Sequence, residues 1–132
     1  MATGPLSQRE KKKKILFVDD EPDMTTMLKM ALERAGFTID TFNDPLLALK
    51  RFKPNLYDLI ILDVIMEKMN GFELCNQLRK IDPLVKVYFL TASGEAYRTE
   101  LEHCEADKDA FLDMPLPLKE IISEIKKRIG SL

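Results

Sequence analysis

Two short, continuous runs of apolar residues, each ending in carboxylates, constrain the fold of this chain more than any other feature. The run Leu59-Ile60-Ile61-Leu62 is rich in branched side chains and stops at Asp63. The run Ile15-Leu16-Phe17-Val18 stops at Asp19 and Asp20. Apolar runs of this length without alternating polar residues are typical of strands buried on both faces. Both runs therefore predict central strands that carry acidic side chains at their carboxyl ends.

Segments with apolar residues at helical spacing alternate with these runs and with three further predicted strands, over 37–42, 85–90 and 110–112. The apolar residues of the predicted helices are Met24, Met27, Leu28, Ala31 and Ala35; Leu46, Leu49 and Phe52; Phe72, Cys75 and Leu78; and Leu118, Ile121, Ile122, Ile125 and Ile129. A more polar helix is expected within 95–104. Five such βα repeats predict an α/β fold, a doubly wound five-stranded parallel sheet with helices on both faces.

The chain has 132 residues, of which 45% are hydrophobic, which is enough for one core and too short for two ordinary domains. Residues 1–12 read as a basic, flexible tail, because the run Lys11 to Lys14 follows a polar leader. Residues 13–131 are predicted to form the domain. With no residues after Leu132 for an output domain, a stand-alone protein is expected, although an excised domain would have the same sequence.

Charge, cysteine and hydropathy patterns exclude several classes of protein. The 20 basic and 22 acidic residues nearly balance, which argues against direct nucleic-acid binding. Cys75 and Cys104 lack the spacing of a metal site and are too few for a disulfide framework, which favours free thiols in a reducing compartment. No apolar stretch is long enough to cross a membrane or resembles a signal peptide, so a soluble cytoplasmic protein is expected.

The acids at the strand ends are expected to converge, because adjacent parallel strands place their carboxyl ends side by side, where ligands bind in such sheets. Asp19, Asp20 and Asp63 would repel one another there unless a cation neutralised them. An all-oxygen set favours a hard ion, most often Mg²⁺. Each acid by itself could instead cap a helix or stay in solvent, and only their combination argues for a Mg²⁺ site.

The chain resembles the response-regulator receiver family over about residues 13–131. Four segments in order carry the resemblance: Phe17-Val18-Asp19-Asp20-Glu21, Leu62-Asp63-Val64, Met69-Asn70-Gly71 and Leu90-Thr91-Ala92. The family implies a flavodoxin-like fold with strand order 2-1-3-4-5.

The resemblance also implies roles for individual residues. Asp63 would accept a phosphoryl group from a partner histidine kinase or phosphotransfer protein, and Mg²⁺ would be held by Asp20, Asp63 and the carbonyl of Ile65, with Asp19 acting through water. Thr91 would donate its hydroxyl to the phosphoryl group, and Phe111 would rotate behind it to change the surface seen by a downstream effector. From the residues alone, Thr91 could be a plain β-branched strand residue and Phe111 a core aromatic.

Two positions depart from the family pattern. Met114 precedes Pro115 where the family usually has a lysine, and methionine offers neither charge nor donor, so Lys108 or Lys119 would have to supply the cation if one is needed. Glu67 stands where proline is common, which predicts a more mobile and more acidic loop. We therefore expect a site that binds Mg²⁺ but has altered phosphorylation kinetics or an atypical switch.

The sequence leaves alternatives open at the level of function. The leading interpretation is a phosphorylatable signalling receiver rather than an enzyme. The first alternative is a pseudo-receiver, a phosphorylation-independent interaction module, which the missing lysine supports. A second alternative is an aspartyl phosphatase, which would need a second acid two positions after the nucleophile Asp63. Ile65 is at that position, which argues against this alternative. Homodimerisation through the segment around Leu101 and the fifth strand stays open, and the kinase and effector cannot be read from the sequence.

Overall fold

The computed structural model describes residues 12–91 and 111–129, with one sheet and helices packed against it. Its elements are, in chain order, β1 (Lys14–Val18), α1 (Pro22–Arg34), β2 (Thr38–Phe42), α2 (Pro45–Arg51), β3 (Leu59–Asp63), α3 (Gly71–Ile81), β4 (Val87–Thr91), β5 (Phe111–Asp113) and α4 (Leu118–Ile129). The predicted helix within 95–104, Cys104 and the tail before Lys12 lie outside the described residues.

All five strands are parallel and lie in the order β2-β1-β3-β4-β5, which confirms the predicted strand order. Among the described helices, α1 packs with α4, and α2 packs with α3. This pairing corresponds to a layer of helices on each face of the sheet, as the doubly wound prediction required. No helix in the described part of the chain is long and apolar enough to cross a membrane.

The two continuous apolar runs form the centre of the sheet. Residues 15–18 of β1 and 59–62 of β3 are at most 1% exposed. These strands pair with each other, and β2 and β4 flank them on either side. Burial on both faces explains why neither run alternates apolar and polar residues. Cys75 on α3 is fully buried.

The buried face of α1 differs from the one predicted. Met27 is 45% exposed, and the fully covered positions are Thr25, Leu28 and Leu32. The Thr25 hydroxyl donates to the Pro22 carbonyl at 3.0 Å, so its polar group is satisfied within the buried stripe. A helix that lies on a sheet covers only one narrow stripe, and Met27 lies beside it.

The prediction for α2 was also wrong at one position. Leu46 is 46% exposed, whereas Pro45 and Ala48 are buried in the helix and Phe52 just after it. The helix has only seven residues, so two small or compact side chains suffice to cover its inner face. Leu49 is partly buried, as the helical spacing indicated.

The bounds of the strands differ from the predicted ones by one or two residues, most of all in β4 and β5. Strand β4 begins at Val87 rather than at residue 85 and includes Thr91 as its last member. Strand β5 covers Phe111–Asp113, and residue 110 lies outside the described part of the chain. Val85 is nevertheless buried beside the start of β4.

Candidate functional site

The carboxyl ends of β1 and β3 bring the three predicted acids together. Val18 pairs with Leu62 in the register of the two strands, so Asp19 and Asp63 follow at the same edge of the sheet. One carboxylate oxygen from each of Asp19, Asp20 and Asp63 lies within 4.8 Å of the others. The predicted convergence of these acids is therefore present.

Asp19 is the most buried member of the cluster, with only 5% of its surface exposed. Burial raises the pKa of its carboxyl group to about 6, and the nearby charges of Glu21 and Asp20 act in the same direction. The Glu21 backbone N–H donates to Asp19 Oδ1 at 3.0 Å and opposes this rise. The Asp19 side chain is thus fixed by a hydrogen bond and partly protonated near neutral pH.

Asp63 has a larger rise in pKa than Asp19. Burial, followed by the charges of Asp19 and Asp20, raises the pKa of Asp63 to about 7, against a partial offset from the Ile65 backbone N–H. A carboxyl group in this state holds a proton about half of the time at neutral pH. A cation beside Asp63 would offset the repulsion from Asp19 and Asp20, which adds to the effect of burial.

Asp20 is partly exposed and borders an open groove. The groove is lined by Asp20, Glu21, Asn43, Asp44, Pro45, Glu67 and Lys68. The backbone N–H of Glu67 donates to Asp20 Oδ2 at 3.1 Å. This contact connects the acidic cluster to the loop between β3 and α3.

Gly71 allows that loop to close against the end of β3. A Cβ atom at residue 71 would overlap the Asp63 carbonyl oxygen, so only glycine fits without a shift of the backbone. The Gly71 N–H donates to the Val64 carbonyl at 2.9 Å. Asn70 caps α3 through a reciprocal pair of bonds with Glu73. The segment Met69-Asn70-Gly71 thereby determines where the loop after Asp63 turns back.

Thr91 and Phe111 lie at the neighbouring strand ends. Thr91 is buried at the end of β4, and its carbonyl accepts the Met114 N–H at 2.8 Å. Phe111 is partly buried, with its ring 5.7 Å from Phe89 and 6.1 Å from Phe72 between centroids. Phe111 is therefore one member of an aromatic cluster with Phe72 on α3 and Phe89 on β4.

The two departures from the family pattern lie on opposite sides of the cluster. Met114 follows β5 and packs, partly buried, against the core. Glu67 is exposed on the loop after β3, and Ile65 on the same loop is 66% exposed. Lys119 is exposed on α4 and has no acidic partner within the described ranges, while Lys108 lies outside them.

Sequence reasoning missed several residues that surround the cluster. Asn43 Nδ2 donates to the Asp19 carbonyl at 2.8 Å and to Thr25 Oγ1 at 2.9 Å. Lys68 Nζ lies 3.1 Å from Asp44 Oδ2 across the groove. This ion pair and the Leu46 backbone N–H lower the pKa of Asp44. The segment Asn43-Asp44-Pro45 signals the start of a helix, but nothing in its pattern indicates these tertiary contacts.

The donor set fits a hard divalent cation. Three carboxylates supply oxygen ligands only, the Ile65 carbonyl is on the adjacent loop, and burial together with mutual repulsion raises the pKa of Asp19 and of Asp63. Mg²⁺ prefers such oxygen ligands and commonly retains several waters, for which the partly exposed Asp20 side leaves room.

Comparison with known proteins agrees with this geometry. A sequence model of the response regulator receiver domain matches residues 15–126. This chain belongs to the response regulator receiver family. It is a receiver domain of two-component response regulators, and phosphorylation-dependent signalling fits both the family and the acidic cluster. Nothing in the comparisons supports the pseudo-receiver alternative.

Two curated relatives show the extent of the receiver. The alkaline phosphatase synthesis transcriptional regulatory protein PhoP of Bacillus subtilis is 37% identical over 114 residues, covering 86% of this chain and 47% of PhoP. The response regulator receiver protein CpdR of Brucella abortus is 33% identical over 118 residues, covering 89% of this chain and 97% of CpdR. The chain thus spans about half the length of PhoP and nearly all of CpdR.

A solved structure supports the fold of the receiver. The response regulator TrrA of Thermotoga maritima, in complex with Mg²⁺-BeF, has a TM-score of 0.72 and is 34% identical. The match covers 87% of this chain and 97% of that structure. The flavodoxin-like prediction is therefore confirmed by topology and by similarity.

Proposed function

We propose that this receiver accepts a phosphoryl group on Asp63 from a histidine kinase or phosphotransfer protein, with Mg²⁺ bound beside it. The observation that carries the proposal is the convergence of Asp19, Asp20 and Asp63 within 4.8 Å at the carboxyl edge of the sheet. Family membership and the Mg²⁺-BeF complex of TrrA support it. The chain would act as a phosphoacceptor in signalling rather than as an enzyme on a separate substrate.

Asp63 would be the nucleophile. A carboxylate oxygen of Asp63 forms the new bond to phosphorus as the bond from phosphorus to the donor nitrogen breaks, which leaves an acyl phosphate on this chain. The ionised carboxylate is the stronger nucleophile, and the pKa of about 7 leaves a sizeable protonated fraction of Asp63 at neutral pH without a cation. Proton loss from the cluster therefore accompanies activation.

Mg²⁺ would be held by Asp20, Asp63 and the Ile65 carbonyl, with Asp19 contributing through water. When bound, it would supply positive charge to the phosphoryl oxygens, where charge spreads in the transition state. The Glu21 N–H and Asn43 fix the position of Asp19, one through its side chain and the other through its carbonyl. These contacts keep the acids preorganised when the phosphoryl donor arrives.

Thr91 and Phe111 would convert phosphorylation into a surface change. Thr91 lies at the end of the strand next to Asp63, where its hydroxyl can donate to a phosphoryl oxygen. The ring of Phe111 on β5 packs near the ring of Phe89, which is on the same strand as Thr91. A movement of the end of β4 would therefore displace Phe111. A downstream effector protein would recognise the altered surface.

Met114 is expected to modify this chemistry rather than to abolish it. Methionine cannot pair with a phosphoryl oxygen, which removes one source of transition-state charge compensation. The acids that would bind Mg²⁺ are nevertheless all in place. Altered phosphorylation kinetics would follow, with the acceptor residue unchanged.

Mass spectrometry after incubation with acetyl phosphate and Mg²⁺ tests the proposal. We expect a single phosphoryl adduct on the wild-type protein and on Met114→Lys, and no adduct on Asp63→Asn. The Met114→Lys variant restores a cation and should change the rate or yield of the adduct. A wild-type protein without adduct, beside a Met114→Lys variant that forms one, would contradict phosphoryl acceptance by this chain and favour the interaction module.

A further inference from the structure

The loop between β3 and α3 touches the acidic cluster through a backbone donor at Glu67. The Glu67 N–H donates to Asp20 Oδ2 at 3.1 Å, across 47 positions of sequence. The side chain of Glu67 itself is exposed. The contact therefore depends on the path of the loop backbone and on the presence of an N–H at residue 67.

That path includes a strained turn centred on Lys68. The Met69 N–H donates to the Glu67 carbonyl at 2.8 Å, and Lys68 has a φ of 72°. A bond between residues two apart with this φ is the geometry of the rare classic γ-turn, whose central residue is strained. Such a conformation persists only where surrounding contacts hold it.

The Lys68 ammonium supplies one of those contacts. It lies 3.1 Å from Asp44 Oδ2, and Asp44 Oδ1 accepts the Leu46 N–H at 2.9 Å at the start of α2. The loop after β3 is thereby tied to the loop after β2 on the far side of the groove. Both anchors of the turn, Asp20 and Asp44, lie outside the loop itself.

We propose that the Glu67 backbone N–H is a positioning donor that holds Asp20 ready to bind a divalent cation, and that the Lys68–Asp44 pair keeps this donor in place. The inference rests on the proposed Mg²⁺ site. A carboxylate has about four lone-pair sites, so the one hydrogen bond at Oδ2 leaves acceptor sites of Asp20 available to a cation. A neutral donor also leaves the charge of Asp20 intact.

Loss of this donor should weaken cation binding. Hydrogen-bond partners of ligating carboxylates orient them, and their removal typically lowers metal affinity by about tenfold or more. Proline has no N–H, so Glu67→Pro removes the donor together with the Glu67 carboxylate. Glu67→Ala removes the carboxylate alone and is the matched control.

Titration with MgCl₂, followed by the ¹⁵N–¹H spectra of the folded protein, measures the dissociation constant of each variant. We expect Glu67→Ala to stay within about twofold of wild type and Glu67→Pro to bind about tenfold more weakly. Lys68→Met should weaken binding by about three- to fivefold, because an exposed ion pair contributes little; an unchanged dissociation constant would overturn the role of the Lys68–Asp44 pair. Lys126→Met on α4, which removes an exposed lysine elsewhere, should have no effect.

A second readout examines the hydrogen bond directly and does not require a change in the loop. In metal-free protein, Asp20→Asn replaces a charged acceptor with a neutral one, so the Glu67 amide proton should move upfield. Asp23→Asn, on the exposed first turn of α1, should leave that resonance in place. This comparison decides the matter if Glu67→Pro fails to fold.

Failure of the positioning role of the Glu67 N–H can be distinguished from failure of the proposed Mg²⁺ site. The positioning role would be overturned if folded Glu67→Pro and Glu67→Ala bound Mg²⁺ with equal affinity. It would also be overturned if Asp20→Asn left the Glu67 amide resonance unmoved. In either case, Mg²⁺ binding by the wild type would still support the Mg²⁺ site. A wild-type protein that shows no Mg²⁺-dependent shifts at tens of millimolar would overturn the Mg²⁺ site itself.

Discussion

Asp19 and Asp63 have raised pKa values, about 6 and about 7, because both are withdrawn from solvent beside other carboxylates. The folded protein therefore binds more protons than the unfolded chain between the ordinary carboxyl pKa of 3.8 and about pH 7. Where the native state binds more protons, the free energy of unfolding falls as the pH rises. The metal-free cluster is thus destabilising at neutral pH and nearly neutral in effect below pH 4.

This linkage gives a pH-dependent expectation for Asp63→Asn. In EDTA, the variant should melt at a higher temperature than wild type at pH 8. Asparagine has no charge, so it avoids both the burial of an ionised carboxylate and the repulsion from Asp19 and Asp20. The difference should shrink as the pH falls below about 7 and vanish by about pH 3, below the ordinary carboxyl pKa of 3.8, where Asp63 is protonated in both states. Thermal unfolding followed by circular dichroism at several pH values measures it. A constant difference in melting temperature across this pH range would show that the pKa of Asp63 is not raised in the folded protein.

Among the elements, α3 connects local sequence signals most directly with the site. Its start is marked by the Asn70–Glu73 capping box, and its buried face carries Phe72, Cys75 and Leu78 at the predicted spacing. Gly71 at its first turn lies against the Asp63 carbonyl, so the position of the helix end and that of the acid are coupled. The cap therefore contributes to site geometry as well as to helix stability.

Removal of the cap should cost measurable stability. Asn70→Ala loses the side-chain acceptor of the Glu73 N–H and should lower the free energy of unfolding by about 1 kcal/mol. Asn76→Ala, on the exposed side of the same helix, is the control and should be neutral or slightly stabilising, because alanine is the better helix former. Urea unfolding of the two variants measures both effects. Equal stability of Asn70→Ala and wild type would indicate that the cap is dispensable.

For the whole molecule, one sheet edge gathers residues that are far apart in the chain. Strand order β2-β1-β3-β4-β5 places the ends of β1, β3 and β4 side by side, and these ends carry Asp19, Asp63 and Thr91. Unfolding disperses the cluster, so a cation that binds it binds the folded state. Cation binding and global stability are therefore linked.

Mg²⁺ should accordingly raise the melting temperature of the receiver. At a concentration ten times its dissociation constant, a ligand specific for the folded state adds about 1.4 kcal/mol to the free energy of unfolding. Asp20→Asn, which removes one proposed ligand, should respond much less at the same concentration. Differential scanning calorimetry with MgCl₂, and with NaCl at matched ionic strength, separates specific binding from screening. The same response in wild type and Asp20→Asn would exclude Asp20 as a ligand.

The parts of the fold that the sequence predicted correctly are those with strong local signals. Continuous apolar runs identified β1 and β3, because a strand covered on both faces has no polar side to alternate with. The buried faces of α1 and α2 were partly wrong, since Met27 and Leu46 are as apolar as the residues beside them. Which apolar residues become buried depends on how each helix is rotated on the sheet.

By itself, the sequence determined the order of the described elements, the convergence of Asp19, Asp20 and Asp63, and the buried face of α3. Each of these follows from side chains near one another in the chain or from the general geometry of parallel strands. The tertiary structure alone decided the contact of the Glu67 N–H with Asp20 and the pairing of Lys68 with Asp44. These contacts join loops 47 and 24 positions apart and depend on backbone conformations, such as the positive φ of Lys68, that no side-chain pattern indicates.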